Sequence, residues 1–165
     1  MKKINNTYLI LASIIMLLST NTNAQISKAE IRATGLTCSM CSNAINKQLK
    51  SLPEVVAVET DLNTNTFTVT LTEGNSLSPK VFKETVEKAG FFIGSLVVTA
   101  KSETIANSTY IIVKGKPDNA AETQFQVVDK GYVTAKEYKK LSRSFKNIET
   151  YASNNEDDFH IKVLN

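Results

Sequence analysis

Residues 31–53 read IRATGLTCSMCSNAINKQLKSLP, and this stretch decides the architecture. Ile31 begins a strand, and Gly35 breaks it. From Ser39 to Leu52 the pattern turns helical: Ala44, Ile45, Gln48, Leu49 and Leu52 form one stripe with a single polar member. Ser39 is the expected N-cap, and Pro53 stops the helix. A strand therefore hands over to a helix through a short loop, and Cys38 and Cys41 sit at that junction. They are the only two cysteines of the chain.

The same reading extends in both directions. Val56–Leu62 and Phe67–Leu71 alternate as strands around the turn formers Asn63, Thr64 and Asn65. Ser78 and Pro79 open a second helix as N-cap and first residue, Phe82, Val86 and Ala89 share a face, and Gly90 caps its end. Phe91–Thr99 is a fourth strand. Residues 25–100 thus carry the order β-α-β-β-α-β, an α+β ferredoxin-like sandwich with two helices on one face of an antiparallel sheet. Residues 101–108 turn polar and read as a linker. In 109–165, Thr109–Val113, Thr123–Asp129 and Phe159–Leu164 read as strands and Thr134–Phe145 as a helix, with Thr134 and Glu137 placed for a capping box. This is a small β-rich unit with one helix, near the lower size limit for independent stability.

The N-terminus carries an address. Lys2 and Lys3 precede an apolar run from Tyr8 to Leu18, and a polar, small-residue stretch ends at Ala24. This is the layout of a signal peptide over residues 1–24, cut before Gln25. Its apolar run is too short to span a bilayer comfortably. The mature chain is expected to be periplasmic or secreted, with no membrane span. Loss of Lys2 and Lys3 takes the formal charge from +3 to +1. With both signs interleaved, no basic face for nucleic acid and no polybasic lipid anchor is expected.

Chemistry concentrates on the cysteine pair. Two thiols at a helix start are favoured as thiolates by its partial positive charge, and two thiolates suit a soft d¹⁰ ion such as Cu(I) or Hg(II). Zinc prefers four ligands, and the loop offers two. Met40 is expected to face solvent or cover the site rather than ligate. His160, the only histidine, alternates with Phe159 and Ile161 and is expected on the polar surface beside Lys162. The rival function is thiol–disulfide exchange, since export favours oxidation and a C-x-x-C pair at a helix start serves redox carriers. A lone histidine and the lack of a Gly-rich phosphate loop argue against an enzyme.

The stretch Gly35-Leu36-Thr37-Cys38-Ser39-Met40-Cys41, then Leu52-Pro53 with Val55 and Val58, then Val86-Glu87-Lys88-Ala89-Gly90-Phe91 resembles the heavy-metal-associated domain family over about residues 27–98. That family includes copper chaperones, modules of copper-transporting ATPases and an exported mercury-binding protein. The resemblance implies Cys38 and Cys41 as metal ligands, one Cu(I) or Hg(II) as cargo, and a metal-donor or metal-acceptor protein as partner. It also places Phe91 facing the metal loop. Leu36 stands where the family usually has a Met that packs inward, and Leu conserves that volume. Phe91 lacks the hydroxyl or charge that copper carriers often place there. Residues 109–165 resemble no family and are expected to dock, dimerise or shield the site.

Overall fold

The computed structural model describes residues 26–106, 110–117, 120–153, 155 and 158–164. The expected signal peptide lies outside them. Among the described residues, seven strands and five helices follow in the order β1 (Ile26–Thr34), α1 (Ser39–Lys50), β2 (Val55–Asp61), β3 (Thr66–Leu71), α2 (Pro79–Lys88), β4 (Phe92–Lys101), α3 (Ser102–Ala106), β5 (Tyr110–Lys114), β6 (Glu122–Val127), α4 (Ala135–Ser144), α5 (Glu149–Ser153) and β7 (Phe159–Leu164). The first six are the expected β-α-β-β-α-β unit. The expected linker contains the short helix α3, and residues 107–109 lie outside the described set. The C-terminal unit adds β5, β6 and β7, the expected helix α4 and a further turn of helix, α5.

All seven strands form one sheet in the order β2-β3-β1-β4-β6-β7-β5. The join is the antiparallel pairing of β4 with β6, where Leu96 faces Val127, Val98 faces Phe125 and Ala100 faces Thr123. Because side chains alternate across a strand, these partners point to one side, and it is the side that α1 and α2 cover. Ile45, Leu49, Phe82, Val86, Leu96, Val98, Phe125, Val127 and Ile161 belong to one buried cluster. The small unit therefore extends the first unit's core, which answers the stability problem its size would pose alone. Tyr110 packs tilted against Phe125 with ring centroids 4.9 Å apart, and Tyr132 meets Phe159 edge-on at 6.0 Å, closing the far end.

The opposite side of the sheet is covered by the C-terminal helices over β7 and the end of β6. Thr134 caps α4 by accepting the Glu137 N–H at 3.2 Å, as its position implied. The rings of Tyr138 on α4 and of Phe145, its C-cap, pack against Tyr151 of α5, with centroids 5.9 and 5.3 Å away. Tyr151 in turn donates its hydroxyl to the Val128 carbonyl at 2.7 Å. Its ring covers His160 at 5.0 Å.

A continuous sheet and a shared core predict cooperative unfolding. Phe125→Ala removes a fully buried ring from the C-terminal unit and is expected to cost about 3–5 kcal/mol. Urea unfolding of the mature chain, followed by probes in each half, should show one transition shifted throughout. Two transitions, with only the C-terminal one displaced, would contradict the shared core.

Candidate metal centre

The centre is built by the turn from β1 into α1. Gly35 has φ +86°, a left-handed conformation that favours glycine, and it directs the chain out of the sheet. The Phe91 ring stands 4.0 Å from where a Cβ on Gly35 would lie. Leu36 and Phe91 are both partly buried against the core. Leu36 thus fills the inward position expected of it, and Phe91 lies beside the loop.

The helix begins at Ser39, but the cap is Cys38 rather than the expected Ser39. Cys38 is extended (φ −156°, ψ 163°), and its carbonyl accepts the Cys41 N–H at 3.1 Å. The helix starts one residue earlier than a serine cap would place it, so a cysteine takes the half-in position. Cys38 and Cys41 are both free thiols, Cys38 exposed and Cys41 half-buried. Their Sγ atoms are 3.0 Å apart, well beyond the roughly 2.05 Å of a disulfide bond. The Cys38 side-chain hydrogen bond lowers the Cys41 thiol to about 7; bonds to the Thr37 and Cys38 backbone help, and desolvation opposes them. The first turn of α1 contains no acidic residue to work against a thiolate.

The remaining candidates separate cleanly. Met40 is 78% exposed, facing solvent as expected. No cluster of three or more His, Cys, Asp or Glu side chains able to hold a metal occurs among the described residues. His160 requires a correction: it is completely buried, not a surface residue. It does lie on the opposite side of β7 from Phe159 and Ile161, but α5 covers that side. Its Nδ1 meets Asp129 Oδ1 at 2.7 Å, its backbone N–H donates to Asp129 Oδ2 at 2.7 Å, and its Nε2 meets Thr150 Oγ1 at 2.9 Å. The imidazole satisfies both ring nitrogens inside the fold and ties β7 to the end of β6 and to α5. The sequence carried one overlooked signal for this cover, the aromatic series Tyr138, Phe145 and Tyr151 in an otherwise basic segment.

Two measurements check this description. Site-resolved alkylation by iodoacetamide should show Cys41 gaining reactivity through a midpoint near pH 7, slow below it where the thiol is protonated. In Cys38→Ala that midpoint should move upward, because the largest lowering contact is gone; an unmoved midpoint would contradict the assigned cause. His160→Ala leaves the buried Asp129 contact unmade and should cost about 1–3 kcal/mol in urea unfolding, with metal affinity unchanged.

Residues 30–92 match the heavy-metal-associated domain family. Among solved structures, the chain is similar to the yeast copper transporter domain Ccc2a in the apo and Cu(I)-loaded states. The identity is 35%, over 41% of this chain and 89% of that one, with a TM-score of 0.36. It is also similar to the N-terminal domain of a potential copper-translocating P-type ATPase from Bacillus subtilis in the Cu(I)-loaded state. That match is 32% identical over 40% of this chain and 81% of that one, with a TM-score of 0.36. No curated protein matches the chain. Over residues 30–92 this chain belongs to the heavy-metal-associated domain family.

Proposed function

We propose that the mature chain is an exported carrier that binds one Cu(I) through Cys38 and Cys41 and passes it to a partner protein by thiolate exchange. The observation that carries this reading is the pair of free thiols, 3.0 Å apart at the start of α1, within a heavy-metal-associated domain. The donor set supports copper over zinc. Soft thiolates select Cu(I), whereas a structural zinc site closes with four ligands, and the loop supplies two. To hold an ion between them the sulfurs must separate from 3.0 Å, and the exposed, extended Cys38 is the member free to swing. The same exposure lets an incoming thiolate approach before one of the resident sulfurs leaves, so the ion moves without being set free. Hg(II) satisfies the same two-sulfur geometry and is the second cargo this site suits.

Thiol–disulfide exchange is the alternative, favoured by one observation: Cys41 lowered to about 7 by its neighbour is a competent nucleophile near neutral pH. The two functions share residues and part on what the reduced protein does with metal.

Titration of the reduced mature chain against a Cu(I) chelator should give one equivalent bound, with release of protons as the thiols ionise. Cys38→Ser and Cys41→Ser should each lower the affinity by orders of magnitude while leaving the circular dichroism spectrum unchanged. Undiminished affinity in the double variant would sink the carrier reading. Mixed disulfides trapped on Cys38→Ser, which keeps Cys41 as the attacking thiol and removes the one that would resolve them, together with weak copper binding by the unaltered chain, would establish the alternative.

A further inference from the structure

Beside the metal loop the C-terminal unit forms a groove that the heavy-metal-associated domain alone does not have. Its volume is about 620 Å³, and Thr34, Phe92, Val133, Ala135 and Tyr138 line it, with Lys130 the one charged residue of the lining. Thr34 and Phe92 are register partners at the ends of β1 and β4. They face away from the core that Ala33 and Ile93 enter. The far wall is the start of α4. Gly94 lets the walls meet: a Cβ there would stand 2.5 Å from Thr34 Cγ2 and 3.7 Å from Thr134 Cγ2. Phe92 is 67% exposed, a large apolar side chain presented to solvent in a lined depression rather than on a convex surface.

Position and charge say what fits there. Thr34 directly precedes Gly35 of the metal loop, and Phe91, next to Phe92, packs beside that glycine. Anything seated in the groove therefore stands against the loop that holds Cys38. Around it the charge is basic. Arg32 on β1, Lys130 in the lining and Lys136 next to Ala135 are all exposed. Helix α4 carries Lys136, Lys139, Lys140 and Arg143 against Glu137 alone. An apolar slot with a basic rim complements an apolar side chain flanked by carboxylates, and repels a second copy of its own basic rim.

We infer that this groove receives the metal-exchange partner, through a protruding apolar side chain flanked by Asp or Glu, and that the C-terminal unit exists in part to supply its second wall. What is exchanged rests on the copper-carrier reading; whether the groove binds is measurable without metal.

The test uses the reduced mature chain, amide-shift mapping, and two acetylated peptides, EDFLED and its basic counterpart KKFLKK. The acidic peptide should shift the amides of Phe92, Val133 and Tyr138, with binding that weakens as salt rises. Phe92→Ser and, separately, Lys130→Glu should each weaken it at least tenfold, while Cu(I) affinity stays unchanged in both. Loss of Cu(I) binding in the unaltered chain would overturn the carrier reading and leave the groove result standing. The groove proposal is overturned if the acidic peptide leaves those amides unmoved, if the basic peptide binds equally well, or if neither variant weakens binding. A concentration-dependent dimer in sedimentation, dissolved by Phe92→Ser, would also overturn it by assigning the groove to a second copy.

Discussion

Strand β4 hydrogen-bonds to β1 along one edge and to β6 along the other, and the placement of everything beyond residue 101 depends on that double pairing. An edge strand with unpaired amides is an invitation to associate, and here the chain covers that edge itself. The register sets which side chains follow. With Leu96 opposite Val127 and Val98 opposite Phe125, the apolar side of the C-terminal strands continues the side already covered by α1 and α2. A slip of one residue would turn Phe125 and Val127 to the wrong face. The same register carries the segment 128–134 back across the start of β4, where Val133 bridges to Ser95, and so brings α4 beside the metal loop.

The proposed metal centre uses little of this structure directly. Its requirements are local: a glycine that can turn the chain at φ +86°, a helix start that favours thiolates, and a cap position occupied by one of the two sulfurs. What the scaffold adds is rigidity under the loop, through Leu36 and Phe91 against the core, while Cys38 itself stays exposed. A carrier needs that combination, since a fully enclosed site would hold its ion but not release it.

How legible this was depended on the range over which each feature acts. The order of elements through residue 101 was written in short-range patterns: alternation in β2 and β3, the stripe through Ile45 and Leu49, and Ser78-Pro79 at a helix start, although β1 begins at Ile26, five residues before the Ile31 start the sequence suggested. The cysteine pair stood out because it exhausts the chain's thiols. The continuous sheet was not legible, since pairing between β4 and β6 joins segments whose apolar patterns do not name their partner. His160 shows the limit most clearly. Alternation correctly placed it opposite Phe159 and Ile161, yet exposure depends on whether another element covers that face, and Tyr151 of α5 does so. The cap at Cys38 instead of Ser39 was a one-residue matter that hydrogen bonding decides and residue preference does not.

The central claim is that two sulfurs and no other protein group hold the ion. X-ray absorption at the copper edge of the Cu(I)-loaded mature chain, prepared without added thiols, tests it most directly. The account predicts two sulfur scatterers as the whole first shell, unchanged in His160→Ala and in Met40→Leu. A nitrogen scatterer lost in His160→Ala, or a third sulfur lost in Met40→Leu, would contradict it.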